Sequence, residues 1–267
     1  MDAFAGLAAQ GRGVLVTVAA VEGSGPREPG AWMLVLPQGV AGTIGGGRLE
    51  FDAIALAREV LGGSRPAPLR HRYALGPSLG QCCGGVVHLD FEPVGAADVP
   101  ALRRRLERPL APVALFGGGH VGSAIARLFE GLPLQLSWID SRDGIFPAQL
   151  PANVQCEHSD PVQRAVPLLA PGSLVLIMSF SHAEDLDILA ACLQRHRQRA
   201  DLPFIGLIGS KTKWATFRHR LEHRGFGAAE LDAVHCPIGI AGIAGKQPAV
   251  IAVAAVAQLL QAASAPA

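Results

Sequence analysis

Two adjacent thiols followed by two glycines, in Gln81-Cys82-Cys83-Gly84-Gly85, are the residues best equipped for chemistry in this chain. A thiolate is a soft metal ligand and a nucleophile, and consecutive glycines let a planar or anionic group come close to the main chain. The competing reading is a tight turn in which both thiols pack as small hydrophobes. A zinc site is disfavoured, because Cys82 and Cys83 are adjacent and Cys156, Cys192 and Cys236 have no C-x-x-C partner. Neighbouring side chains in extended chain point to opposite sides, so only one thiol of the pair should face a given ligand. Cys83, which adjoins the glycines, is the first choice.

A second constellation lies at Gly117-Gly118-Gly119-His120-Val121-Gly122, which fits G-x-G-x-x-G through Gly117, Gly119 and Gly122. It follows an apolar run and opens a helical pattern, the context in which such glycines cradle a pyrophosphate at a helix N-terminus. Asp140, at the end of the next apolar run, is placed to bind a ribose hydroxyl. NAD(P) or another nucleotide is therefore a ligand this loop could hold, and a loop that has kept the fold without the ligand is the alternative. Three later segments should reach the same end of a parallel sheet: Ser181-His182, Gly209-Ser210-Lys211-Thr212-Lys213 and His235-Cys236-Pro237. With His120, they would line a crevice suited to a phosphate-bearing ligand. Earlier in the chain, Arg27 and Arg48 are candidate anion contacts, and Thr43, Gly45, Gly46 and Gly47 could form a backbone nest beside Arg48. The alternative there is an ordinary helix start with Glu50 in its first turn.

These residues need two kinds of scaffold. From Gly13 to about Glu92 the pattern is strand-like, with runs at 14–21, 31–36 and 87–91 and a helical stripe of Leu49, Ala53, Leu56, Ala57 and Val60. From Val113 onward, apolar runs at 113–116, 134–139, 174–180 and 204–208 alternate with helical patterns near 121–130, 161–169, 184–198 and 212–224, which is the logic of a parallel sheet covered on both faces. The expected fold is α/β: a small N-terminal α+β domain over 1–95, a polar, proline-punctuated linker over 96–110 with Arg103-Arg104-Arg105 on a short helical or linker segment, and a Rossmann-like domain over 111–267. A net charge of +1 gives no electrostatic reason to expect nucleic acid or an anionic membrane. The uncharged 247–267 stretch, except that it is broken by prolines and glutamines, resembles a span and reads as a buried terminal helix. Five cysteines without a disulfide pattern and a start lacking a basic leader point to the cytoplasm. There is no Ser-His-Asp order, H-E-x-x-H or P-loop.

Several stretches together resemble the xanthine dehydrogenase accessory protein (XdhC) family. They are Val21-Glu22-Gly23-Ser24-Gly25-Pro26-Arg27-Glu28-Pro29-Gly30, Gly42-Thr43-Ile44-Gly45-Gly46-Gly47, Leu79-Gly80-Gln81-Cys82-Cys83-Gly84-Gly85, Phe116-Gly117-Gly118-Gly119-His120-Val121-Gly122, Gly206-Leu207-Ile208-Gly209-Ser210-Lys211-Thr212-Lys213 and Cys236-Pro237-Ile238-Gly239. The resemblance implies a non-enzymatic chaperone that binds molybdenum cofactor (molybdopterin) as cargo. It would protect the cargo while a cysteine desulfurase installs the terminal sulfido ligand, then hand it to the molybdenum subunit of xanthine dehydrogenase; a homo-oligomer is expected. Carried over, Cys82 and Cys83 are the cofactor-binding candidates, joined by Gly84, Gly85, Arg27, Gly45, Gly46, Arg48, Gly117, Gly119, His120, Gly122, Asp140, His182 and Lys211. One departure is Phe180-Ser181-His182, where many relatives carry a further histidine before the serine. The rival reading is an NAD(P)-dependent oxidoreductase with His120 or His182 as acid/base; a redox pair of Cys82 and Cys83 is opposed by the strain of a disulfide between neighbours.

Overall fold

The computed structural model describes residues 3–75, 84–107 and 109–264. The chain divides into two compact units, Met1–Arg108 and Pro109–Ala267.

The first unit runs α1 (Ala3–Gln10), β1 (Arg12–Glu22), β2 (Trp32–Leu36), β3 (Gly39–Gly42), α2 (Gly47–Leu61), β4 (Leu69–Ala74), β5 (Val86–Gly95) and α3 (Val99–Leu106). Its five strands form an antiparallel sheet in the order β3-β2-β1-β5-β4. The period-2 alternation of β1 separates two cores. Val14, Val16 and Val18 meet the α2 stripe of Leu49, Ala53, Leu56, Ala57 and Val60, while Leu15 faces Phe4 and Leu7 of α1 and Leu102 of α3. Each fully buried valine or leucine among them contributes about 1.5–3 kcal/mol. Residues 96–110 are therefore not simply a linker. Ala96–Asp98 form a 3-10 turn and Val99–Leu106 a helix, whose Val99, Leu102 and Leu106 pack inward at helical spacing. Of the two readings of the arginine run, the short helical one is found; Arg103 pairs with Glu107 at 2.7 Å, and Arg105 bonds Glu92.

The second unit contains β6 (Ala111–Phe116), α4 (His120–Leu128), β7 (Leu134–Asp140), β8 (Val154–His158), β9 (Leu174–Ile177), α5 (His182–Arg199), β10 (Phe204–Leu207), α6 (Lys211–His223), α7 (Ala228–Asp232), β11 (Val234–His235) and α8 (Pro248–Ser264). All its strand pairs are parallel, in the order β11-β10-β9-β6-β7-β8. Counted from the first strand of the unit, this is 3-2-1-4-5-6, the doubly wound dinucleotide-binding order, with its switch point between β6 and β9. Strands β6 and β9 are buried on both faces. Ala114, Phe116, Val175 and Ile177 pack with α5 and α6; Val113, Leu115, Leu174 and Leu176 pack with α4 and α8. The helix expected near 161–169 is instead a 3-10 segment, Val162–Leu168, with Pro167 inside it; proline supplies no N–H for an α-helical ladder. Among the described residues no helix is long and apolar enough to cross a membrane. Helix α8 instead buries Ala252, Ala255, Val256 and Leu259 in the core.

Candidate functional site

At the switch point, the three glycines after β6 have three different physical reasons. Gly117 has φ +125°, and a Cβ there would lie 2.0 Å from the Met178 carbonyl oxygen. A Cβ on Gly122 would lie 2.1 Å from the Gly117 carbonyl oxygen, so α4 can approach β6 this closely only without a side chain. Gly119 is different: it is exposed, it precedes α4, and a Cβ on it would meet nothing within 4 Å. Its open backbone and the exposed His120 beside it are the part of the loop free to meet a ligand.

Asp140 lies behind the loop rather than in front of it. Its carboxylate accepts the Gly118 N–H (2.5 Å), the Arg142 N–H (2.8 Å) and two bonds from the Arg142 guanidinium (2.9 and 3.0 Å). Two bonds fall on each oxygen, which saturates the four acceptor positions of a carboxylate. Burial pushes this carboxyl up, but the Arg142 side chain, the Gly118 and Arg142 N–H groups and the arginine's charge outweigh it and hold it below the usual range. In this geometry Asp140 braces the glycine loop and has no acceptor left for the ribose hydroxyl assigned to it above. The arginine's guanidinium lies 4.7 Å from the ring centroid of Phe180, an aromatic residue left 67% exposed after β9.

The ends of β9 and β10 are joined by a charged network. Asp185, buried on α5, accepts the Ser179 N–H (2.8 Å) and hydroxyl (2.7 Å) and pairs with Lys213 at 2.6 Å. Lys213 also donates to the Ile208 carbonyl at 2.9 Å. Ser210 caps α6 by accepting the Lys213 N–H, which sets the helix register; Lys213 turns inward and Lys211 is left exposed. His182 is exposed as well, its ring edge-on to Phe217 at 6.2 Å. Cys236 belongs to this region, since a Cβ on Gly209 would meet its Sγ at 3.4 Å. Its neighbour His235 turns away, stacking on Phe204 with ring centroids 4.6 Å apart. That pair lines a cavity of about 630 Å³ with Ala111 and Leu174, the first residues of β6 and β9, at the opposite edge of the sheet from the glycine loop.

In the first unit, the glycine nest carries an anion of the chain's own. Gly45, Gly46 and Gly47 have φ of +120°, +74° and +65°, and the Glu50 carboxylate accepts the Ile44 N–H (3.0 Å), the Gly46 N–H (3.1 Å) and the Thr43 hydroxyl (2.5 Å). Burial pushes Glu50 up, but these donors hold it below the usual carboxylate range. Arg48, proposed above as an anion contact, pairs with Asp52 one turn on. Arg27 is engaged by Glu28 and by the Thr43 carbonyl, and with Gly30, Trp32 and Leu106 it lines a cavity of about 360 Å³.

Cys82 and Cys83 lie outside the described residues. The glycines that follow them are unlike each other. A Cβ on Gly84 would meet nothing within 4 Å, whereas one on Gly85 would lie 2.3 Å from the Ser24 carbonyl oxygen and 2.5 Å from that of Glu22. Gly85 thus serves a chain crossing, while Gly84 meets nothing among the described residues. Burial pushes the thiols of Cys156 and Cys236 up, and that of Cys192 up to about 12, so none of these three is poised as a thiolate. Among the described residues no group of three or more His, Cys, Asp or Glu side chains could hold a metal ion.

Sequence reasoning passed over Asp185 and Arg142 as site-forming groups, named Lys213 only within the 209–213 segment, and took Glu50 only as part of an ordinary helix start. Ser210 three residues ahead of Lys213 is a capping signal that could have separated Lys213 from Lys211.

Residues 113–259 match the family model described as the XdhC Rossmann domain, and residues 7–74 match that of the XdhC and CoxI family. The chain is 28% identical over 245 residues to YqeB, an uncharacterized protein of Escherichia coli strain K12; the match covers 90% of this chain and 41% of that one, so the chain spans less than half of that relative. It also resembles a crystal structure of a Bacillus halodurans protein described as a xanthine dehydrogenase, with a TM-score of 0.79 at 21% identity, covering 100% of this chain and 98% of that one. At that identity the likeness concerns the fold.

Proposed function

The chain belongs to the XdhC family, and from that membership we propose that it is an accessory protein of xanthine dehydrogenase maturation. In this reading it binds molybdenum cofactor as cargo and shelters it while a cysteine desulfurase installs the sulfido ligand. It then passes the cargo to the molybdenum subunit of xanthine dehydrogenase. The observation that carries this is the match of the family's models in both units, which no reading of the Rossmann-like unit alone explains.

The chemistry of the cargo supports the same reading. A dithiolene-bound metal calls for a soft donor, which Cys82 and Cys83 would supply beside Gly84. A phosphate calls for N–H groups free of internal anions. The nest at Gly45 and Gly46 already holds Glu50, so within the first unit it is not free for one; in the second unit, taken by itself, the exposed Gly119 and His120 are the candidate anion contact. The saturation of Asp140 counts against the NAD(P)-dependent oxidoreductase, whose ribose recognition needs a free acceptor. No catalytic residue is assigned; the chain's part is to bind, shield and release.

Anaerobic incubation of the purified chain with molybdenum cofactor, followed by desalting and molybdenum analysis, tests this. The wild type should retain molybdenum, and Cys82→Ala or Cys83→Ala should release it. Equal retention in both variants would remove thiolate binding from the reading. Saturable NADPH binding with turnover, followed by nicotinamide fluorescence, would move the chain to the oxidoreductases.

A further inference from the structure

Helix α6 buries Phe217 and Leu221 and exposes His219 and His223, one turn apart. Residues at i and i+4 share a helix face. Here the two Nε2 atoms stand 3.2 Å apart, with ring centroids 4.4 Å apart and planes at 89°. Two imidazole nitrogens bound to one tetrahedral ion at 2.0–2.1 Å are separated by roughly 3.3–3.4 Å. The pair is therefore already at the spacing of two ligands on one metal. Between neutral rings the contact is a single hydrogen bond, one Nε2–H donating to the other nitrogen. An ion would instead take the lone pairs of both, each ring keeping its proton on Nδ1.

We propose that His219 and His223 form a surface site for a borderline divalent transition ion such as Zn²⁺, Ni²⁺ or Cu²⁺. The ion is held through both Nε2 atoms, with water in the remaining positions. The run His219-Arg220-Leu221-Glu222-His223 has the H-x-x-E-H order of a class of zinc peptidases, in which the glutamate serves as base. Here Glu222 accepts from Arg218 at 3.3 Å, and no third ligand gathers among the described residues. The geometry suits holding an ion, not hydrolysis. The charges of Arg218, Arg220 and Arg224 surround the pair and weaken cation affinity, although Arg218 is neutralised by Asp232 at 2.6 Å and Arg224 by Asp187 at 2.9 Å.

The test uses the full chain carrying Cys82→Ser and Cys83→Ser, so that the adjacent thiols do not compete. Zn²⁺ titration by calorimetry should show one saturable site that is lost in His219→Ala and in His223→Ala. Substoichiometric Cu²⁺ should broaden the NMR signals of these two rings before any others. Because both side chains are exposed, the metal-free variants should melt within about 2 °C of the parent, which separates lost binding from lost folding. An unchanged zinc isotherm in the double histidine variant, no saturable zinc binding in the parent, or copper broadening that spares both rings would overturn the assignment.

Discussion

Both units carry a glycine-rich turn that feeds a helix, residues 42–47 ahead of α2 and residues 117–119 ahead of α4, and the two treat negative charge in opposite ways. In the first, Glu50 sits in the first turn of α2, just after the glycines, and its carboxylate occupies the place an external anion would take. In the second, the nearest carboxylate comes from a neighbouring strand. Asp140 bonds Gly118 and Arg142, leaving Gly119 open. A run of glycines is therefore not by itself an anion site. What matters is whether an internal acceptor reaches the front of the turn or its back.

The largest break in this comparison is Gly117→Ala. Its new Cβ would collide with the Met178 backbone in a left-handed conformation, so denaturant melts should show a loss of more than about 4 kcal/mol. Asp140→Asn should cost about 2–3 kcal/mol, because it leaves Arg142 and the Gly118 N–H poorly matched in a partly buried site. The same residue makes stability depend on pH. A carboxyl held below its ordinary range stabilises the fold fully above its unfolded value of about 3.9 and loses that contribution as pH falls through the lower folded value. Acid melts of the wild type should show this extra loss and those of Asp140→Asn should not. Glu50→Ala should cost about 1–2 kcal/mol and empty the nest. Sulfate should then raise the melting temperature of this variant and leave the wild type nearly unchanged. Gly119→Ala meets no neighbour among the described residues and should cost less than about 1 kcal/mol in denaturant melts. Arg48→Ala removes only an exposed pair with Asp52 and should change stability by less than about 0.5 kcal/mol without altering retention of molybdenum cofactor.

Much of this architecture was legible in residue spacing. The α2 stripe, the buried runs of β6 and β9 and the three glycines after β6 follow from periodicity, because a residue's side of a helix or strand depends on its immediate neighbours. The 3-10 segment at 162–168 was not, although Pro161 precedes it and Pro167 lies within it. For the arginine run the sequence left a short helix and a linker both open; the structure shows helix α3, with Arg103 paired to Glu107 and Arg105 to Glu92 of another element. The importance of Lys213 over Lys211 turned on the capping hydroxyl of Ser210, which sets the register of α6, and on Asp185 in the first turn of α5. The spacing of His219 and His223 was present in the sequence, but only the helix brings their nitrogens to 3.2 Å.

By itself the sequence determined two sheets of opposite kind, the glycine turns between their strands and helices, and the family to which the chain belongs. All of these are encoded in local pattern. Only the tertiary structure decided that Glu50 fills one turn, that Asp140 is spent on Arg142 and Gly118, and that Gly85 is closed against Glu22 and Ser24 while Gly84 meets nothing among the described residues. Whether an acceptor or a backbone face is free depends on every group that folds against it, and those groups come from several parts of the chain.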